Sequence, residues 1–227
     1  PLAAITGAAS SLYEHDALLD PESRRELART IAEEGDQLNR LVHNLLDMTR
    51  LECGKVRLRR EPHPPEDLIG STLITMERRL RERTVELRIA PDLPAIPLDG
   101  ILIQEVLINL IENAIKYTTV GGTVELCLVA EQGAAVLTVK DTGMGIAAAD
   151  LPFIFERFWR ADRARSRAGG RTGTGLGLAI SQYIAQAHGG TLTAQSRLGR
   201  GSTFTMTLPG AVRRESVDPG PSLPRMT

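Results

Sequence analysis

Two amides and an ammonium recur at helical spacing in the stretch Gln104 to Thr118, QEVLINLIENAIKYT. Asn109, Asn113 and Lys116 stand at i, i+4 and i+7, so they line up along one side of a helix. A solvated helix face usually favours Glu and Lys, which makes this row unusual. It suits a grip on a metal and a phosphate: an amide oxygen can complete an octahedral Mg2+ shell, and a lysine can neutralise phosphate oxygens. Leu107, Leu110, Ile111 and Ile115 recur at the same period and form an apolar stripe. The stretch therefore also fits an amphipathic core helix with no ligand, and Glu112 fits an ordinary solvated position.

Three later stretches carry chemistry of a compatible kind. Val136 to Ile146, VLTVKDTGMGI, alternates as a strand and runs into Asp141 and two glycines. A carboxylate at the end of an apolar strand is costly unless it accepts hydrogen bonds. The exocyclic amine of adenine is a suitable donor, and Gly143 and Gly145 would let the backbone come close to a ring. The alternative, an Asp that merely caps a turn, leaves both glycines unexplained. Phe153 to Phe158, FIFERF, is an aromatic cluster, and Gly173 to Ile180, GTGLGLAI, is a glycine-rich turn that enters a helix. Backbone N–H groups at such a helix start can bind phosphate. No βαβ unit surrounds this turn, so it is not a dinucleotide fingerprint.

The order and spacing of these four stretches resemble the N, G1, F and G2 boxes of the sensor histidine kinases, relatives of gyrase, Hsp90 and the MutL repair proteins. The resemblance runs from Pro1 to about Pro209. It implies a protein-histidine kinase that binds Mg2+ and ATP and transfers the γ-phosphate to a histidine, then to an aspartate on a response-regulator receiver domain. It assigns Asn113, with Asn109, to the metal, Lys116 and Arg160 to the phosphates, and Tyr117 to the edge of the adenine or ribose pocket. Asp141, Gly143, Gly145 and Ile146 fall to the base. Gly173, Thr174, Gly175, Leu176 and Gly177 form the hinge and phosphate-binding turn, and Thr203 of GSTF supports the adenine. Glu112 would help orient or deprotonate the histidine. Arg163, Arg165, Arg167 and Arg171 lie in what resembles a mobile ATP lid, anchored by Phe155, Phe158 and Trp159. Gyrase-like relatives carry a catalytic Glu where this chain has Asn109, and an amide cannot take a proton from water. A gyrase- or MutL-like ATPase module and a nucleotide-binding scaffold without kinase activity are the alternatives.

The elements that position these residues can be read in order. Leu2, Ile5, Ala9 and Leu12 predict a first helix to about Tyr13, and His15 to Leu19 a loop. Asp20-Pro21 is a helix entry, and the second helix runs to about Glu52, with Gly54 as its stop. The two form an antiparallel hairpin whose apolar stripe is too wide to bury alone, so a homodimer through the hairpin is expected. The hairpin resembles the dimerisation and phosphotransfer domain of the family. Pro1-Leu2 matches only the last two positions of the motif that carries the phosphoacceptor, which is expected five residues upstream; neither His15 nor His43 has the flanking acid, Thr and Pro. The stretch from Leu41 to Glu61 looks like the KdpD type. Beyond it, Val56 to Glu61 alternates as a strand, Pro65 to Arg83 reads as a helix, and strands follow at Val85 to Ala90 and near Ile96. Asp99 is placed to cap the helix bearing Asn109. Strands Val124 to Ala130 and Ala135 to Lys140, a helix from Leu176 to Ala187, and strands Thr191 to Ser196 and Thr203 to Leu208 complete an α+β sandwich. The expected division is residues 1–54 for the hairpin, 55–209 for a GHKL (Bergerat-type) ATP-binding domain, and 210–227 for a disordered tail.

Composition agrees with one or two globular domains: the chain has 227 residues, 42% of them hydrophobic and 24% charged. A net charge of −1 gives no bulk basicity for nucleic acid. Cys53 and Cys127 form no metal or CxxC pattern, and His63 and His188 read as structural or surface residues. No apolar run reaches membrane-span length. The resemblance makes the chain the cytoplasmic portion of an inner-membrane protein, with the membrane met only through parts upstream of Pro1.

Overall fold

The computed structural model describes residues 1–15, 18–52, 58–91, 93–160 and 175–210, with the backbone alone described at 36, 37, 40, 41 and 43–52. The chain divides into two compact units, Pro1–Val56 and Arg57–Thr227. Cys53, Val56, Gly173, Thr174, the lid arginines from Arg163 to Arg171 and the expected tail beyond Gly210 lie outside the described residues.

The first unit is a helical hairpin of α1 (Leu2–His15) and α2 (Pro21–Glu52). Asp20 caps α2 as its residue type requires: its Oδ1 accepts the Glu22 and Ser23 N–H groups, each at 2.9 Å. Hydrogen bonds from Ser23 hold the Asp20 carboxyl below the ordinary value. Of α1, only Ala8 is buried, while Leu2 is 65% and Tyr13 90% exposed. α1 continues two residues past its expected end at Tyr13, into the predicted loop.

The second unit is a mixed sheet with helices on one face. Its elements are β1 (Glu61–His63), α3 (Pro65–Leu80), β2 (Thr84–Ile89), β3 (Ile96–Leu98), α4 (Gly100–Tyr117), β4 (Thr123–Glu131), β5 (Ala134–Asp141), a 3-10 turn (Leu151–Phe153), α5 (Gly177–Ala187), β6 (Thr191–Arg197) and β7 (Gly201–Pro209). Five strands form the main sheet in the order β2-β4-β5-β7-β6. The expected antiparallel strands hold for β4–β5, β5–β7 and β6–β7, but β2 and β4 are parallel. The physical reason is the connection: β2 reaches β4 through β3 and α4, a crossover long enough to return the chain in the same direction. β1 differs too. In place of Val56 to Glu61, the strand is Glu61–His63, paired antiparallel with β3 so that Pro62 faces Pro97. A two-stranded ribbon is all edge, so prolines are tolerated there.

The core is built by alternation. Leu126, Leu128, Leu137, Val139, Phe204, Met206 and Leu208 point from the sheet to meet Leu107, Leu110 and Ile111 of α4 and Ile180 and Ile184 of α5, all at most 5% exposed. Each such side chain contributes about 1.5–3 kcal/mol by leaving water. α4 is thus the amphipathic core helix that its stripe predicts, with Ile115 only half-buried at its end.

The start of α4 is fixed by a small polar network. Asp99 Oδ1 accepts the Leu102 N–H at 3.3 Å, and Asp99 Oδ2 accepts the Arg59 N–H at 3.1 Å. The Asp99 N–H donates to Nε2 of buried His188 at 3.0 Å, and His188 Nδ1 lies 2.8 Å from the Ile184 carbonyl oxygen. A carbonyl only accepts, so the ring is the neutral tautomer with its proton on Nδ1. His188 is therefore structural, tying the end of α5 to the cap of α4.

Burial lowers the proton affinity of His188 below its ordinary value of 6.5; the Ile184 carbonyl and Asp99 oppose the shift, and Arg60 adds to it. The unfolded chain then binds more protons than the folded one below about pH 6.5, so stability falls as the pH drops through that range. Urea unfolding at pH 7.5 and 5.5 should show a loss for the parent that is smaller in His188→Gln; equal losses would remove His188 from the pH response.

Candidate functional site

α4 places the polar row along one side. Asn109, Glu112, Asn113 and Lys116 are all half-buried, between the core stripe and solvent. The row is not uniform. Glu112 is held by Arg79 of α3 in an ion pair, which makes it a tie between helices as well as a polar residue of the row. Asn109 lies at the other side, against the start of α5: a Cβ added to Gly177 would stand 3.2 Å from Asn109 Oδ1. Asn109 Nδ2 is buried without a hydrogen-bond partner. A buried amide donor left unmade costs about 1–3 kcal/mol. Lys116 Nζ sits 5.1 Å from the centre of the Tyr117 ring, and Tyr117 is 42% exposed.

The end of α4 is where the second sequence motif arrives. The Met144 N–H donates to the Tyr117 carbonyl at 3.1 Å. Gly143 passes under that same carbonyl; a Cβ there would collide with it and stand 2.7 Å from Asp141 Oδ1. Gly145 has φ +69, and a Cβ would run into the Arg197 carbonyl. Both glycines are therefore required by close approach to the protein's own backbone, a role apart from the expected approach to a ring.

Asp141 ends β5 and is 4% exposed. Its Oδ1 accepts the Gly143 N–H at 2.8 Å, and the Ser202 backbone also donates to the carboxyl. Burial raises the carboxyl above its ordinary value, with these two hydrogen bonds opposing the rise. Among the described residues no lysine or arginine pairs with it. A carboxylate buried without a cation is stabilised only by hydrogen bonds, and that leaves it ready to accept from a ligand donor.

Two expected residues fall elsewhere. Thr203 is paired with Lys140, on the sheet face opposite the core, because Phe204, Met206 and Leu208 alternate inward. Ser202 occupies the Asp141 side instead: it is 7% exposed, and its Oγ lies 3.0 Å from Ser196 Oγ. Ser196 Oγ in turn accepts the Ile146 N–H at 2.8 Å. The buried alternation Ser202, Phe204, Met206 and Leu208 in GSTFTMTL was the signal for this choice. The second difference is the aromatic anchor. Phe158 is 60% exposed and has φ +61, whereas Ile154 is the buried member at 5%. What closes the base of the segment is backbone: the Phe158 N–H donates to the Gly175 carbonyl at 2.9 Å, and Gly175, at φ +72, packs directly on Phe158. Leu176 is buried and Gly177 opens α5, so the described part of the glycine turn does lead into a helix beside Asn109. Arg160 is exposed, at the last described position before the lid.

Residues 98–212 match the family of histidine kinase-, DNA gyrase B- and HSP90-like ATPases, and residues 1–54 match the His Kinase A (phospho-acceptor) domain. The chain belongs to the sensor histidine kinases. It is 38% identical over 219 residues to the sensor histidine kinase RppB of Synechocystis sp., covering 92% of this chain and 46% of RppB. It is 33% identical over 209 residues to the sensor protein KdpD of Clostridium acetobutylicum, covering 92% of this chain and 23% of KdpD. RppB matches at higher identity than KdpD, so the likeness shown is to histidine kinases broadly, the KdpD type among them. The crystal structure of full-length ShkA in complex with AMPPNP superposes with a TM-score of 0.73 at 31% identity, over 93% of this chain and 43% of ShkA. The chain thus spans less than half the length of these histidine kinases, as their catalytic core with its ATP-binding ATPase domain.

Asp141→Asn keeps an acceptor for Gly143 but removes the buried charge. Nucleotide affinity should fall by about 1.5–3 kcal/mol, the scale of a hydrogen bond to a charged group. The ligand-free protein should melt no lower than the parent, because a desolvated carboxylate has been removed. Calorimetric titration with ATP, beside a thermal melt of both proteins, checks the pair of outcomes; unchanged affinity would remove Asp141 from base recognition.

Proposed function

We propose that residues 55–209 bind ATP with Mg2+ and transfer its γ-phosphate to a histidine nitrogen on a helical hairpin, from which the phosphoryl group passes to an aspartate of a response regulator. The observation that carries this reading is Asp141, a buried carboxylate with backbone donors and, among the described residues, no paired cation, beside Gly143 packed closely on the end of α4. AMPPNP in the related ShkA supports the same choice of ligand.

In this reading the adenine amine donates to Asp141, and Ser202 supports that carboxylate from β7. Tyr117 borders the base or ribose, and Gly143, Gly145 and Ile146 form the floor. Asn109, Asn113 and Lys116 follow the phosphates along α4 toward Gly175 and Gly177. Gly173 and Thr174 complete that turn, and Arg160 reaches the γ-phosphate.

The residues present fit a magnesium ion. Its usual protein share at a phosphate site is one or two oxygens, the remainder coming from phosphates and water. Asn113 and Asn109 supply amide oxygens of that kind, and the buried Asn109 Nδ2 donor, without a partner among the described residues, suits a phosphate oxygen beside the ion. When bound, the ion offsets charge on the β- and γ-phosphates. The protein's own part is positioning: Lys116 and Arg160 neutralise phosphate oxygens, and the α4 row fixes the γ-phosphorus for in-line attack. A neutral imidazole nitrogen attacks, the bond from phosphorus to the bridging oxygen breaks, and ADP leaves. In this reading Glu112, though paired with Arg79, helps orient the incoming histidine. Asn109 in place of a carboxylate gives no general base for water, which sets this site apart from a gyrase-like ATPase.

The hairpin of residues 1–54 serves as the dimer interface and the docking surface for the regulator. The exposed Leu2 and the nearly unburied α1 support a second copy there. Among the described residues no helix is long and apolar enough to cross a membrane.

Asn113→Ala should abolish the tightening of ATP binding by Mg2+; equal tightening in mutant and parent would end the metal assignment. The transfer is tested with γ-labelled ATP and a separate acceptor hairpin carrying the family's histidine motif. The label should appear on the supplied hairpin, acid-labile and base-stable, and not on this chain alone. A label mapped to His43 or His15 would place the acceptor inside the chain.

A further inference from the structure

The basic run ERRLRER at the end of α3 looks like one continuous helical surface in sequence, yet the helix stops at Leu80 and the run turns inward. Arg83 is the residue that turns. Its side chain is 9% exposed, far more buried than the 71% of Arg81. Arg83 Nη2 donates to the Thr118 carbonyl at 3.0 Å and to the Ile115 carbonyl at 3.3 Å. Nη1 donates to the Glu82 carbonyl at 3.2 Å and lies 3.7 Å from Glu82 Oε2. The Gly121 N–H bonds to that same Glu82 carbonyl at 2.9 Å, and the Thr84 N–H to the Gly122 carbonyl at 2.9 Å, so the two turns are sewn together.

The carbonyls that Arg83 grips are those a helix leaves unsatisfied at its C-terminus, where a cation is also favoured by the helix dipole. They flank Lys116 and Tyr117. The Tyr117 carbonyl, between them in the chain, carries the Met144 N–H and lies over Gly143. We propose that Arg83 is a positioning residue for the nucleotide site: it fixes the last turn of α4, and through that turn sets both the phosphate side at Lys116 and the base side at Gly143 and Met144. Arg83 touches neither nucleotide nor acceptor. The inference rests on the nucleotide-site reading above for its functional consequence, and on the hydrogen bonds alone for its structural one.

The guanidinium suits this task better than an ammonium. Its planar fork spans two carbonyls of one helix turn while still reaching the Glu82 carbonyl, and it never loses its charge. The Arg83 Nε is buried without a partner. The DTGMGI motif holds the Tyr117 carbonyl through Met144, and the α3–β2 turn supplies the hold on the Ile115 and Thr118 carbonyls that flank it.

The test compares Arg83→Met, which keeps the stem and loses every donor, with Arg83→Lys, which keeps charge and can reach one carbonyl. Hydrogen exchange is read first, without nucleotide. In Arg83→Met, protection at the Thr118 and Met144 amides should drop about tenfold or more, while Leu126 of β4 and Ile184 of α5 keep theirs. ATP affinity by calorimetry should fall about tenfold, the scale of one well-made hydrogen bond to a charged group. Arg83→Lys should recover part of both. If parent and Arg83→Met show equal exchange at Thr118 and Met144, the proposal is overturned. It is overturned as well if protection falls everywhere in parallel, because Arg83 would then only stabilise the domain. Failure of the parent itself to bind ATP would sink the nucleotide reading, and the exchange arm would still decide whether Arg83 holds α4.

Discussion

One backbone junction organises the second unit. Tyr117 closes α4, and its carbonyl accepts the N–H of Met144 from the loop that follows β5. Through this bond a helix and a strand end, apart in sequence, are held at a single point. On one side of it run the amides and lysine of α4. On the other lies Asp141, buried and raised in its proton affinity by that burial. Any shift of the last helical turn would move both sides together, because the glycine at position 143 leaves no slack between them. This is the geometric reason for a side-chain-free residue there, and the reason a buried arginine at the same turn has a role.

The cost of the arrangement is visible in the polar groups left over. Among the described residues, a desolvated carboxylate has no paired cation and a buried amide donor has no partner, and both weaken a ligand-free domain. Structures built only for stability avoid such groups; binding sites accumulate them, because the ligand supplies the missing partner. The core beneath is well able to offset the loss. Leu107, Leu110 and Ile111 are at most 1% exposed against the sheet, so α4 is anchored along its apolar stripe while its polar row stays half-buried at the edge of the core.

The opposite end of α4 is organised by different means. Asp99, His188 and the Arg59 backbone form a linked set of hydrogen bonds that satisfies both Asp99 carboxylate oxygens and both His188 ring nitrogens. The helix is thus capped firmly at its start by a neutral histidine and an aspartate, and at its end by a buried arginine. Between these fixed points, the residues assigned to the phosphates sit on a rigid rod rather than on a loop, which favours precise placement over adaptation. The hairpin unit is of another character, with a long helix capped by Asp20 and an α1 that buries almost nothing by itself.

Local pattern in the sequence determined a good deal of this. The period of Leu107, Leu110 and Ile111 is enough to define α4 and to put Asn109, Asn113 and Lys116 off the core, since helical spacing is a property of neighbours in the chain. The alternation from Val136 onward is enough to end a strand at Asp141, and Asp20 and Asp99 announce their caps. Four motifs in order were enough for the family. Other features needed the tertiary structure, because they depend on partners remote in sequence. The strand register against β5 put Ser202 rather than Thr203 beside Asp141; a slip of one residue exchanges the faces. The parallel pairing of β2 with β4 followed from the crossover through α4, not from either strand's own residues. Phe158 looked like a buried anchor by composition and proved exposed, its place held by a backbone bond to Gly175. Arg83 closed the expected helix from Pro65, and only the approach of the 118–122 loop, which no periodicity encodes, turned it inward onto the end of α4.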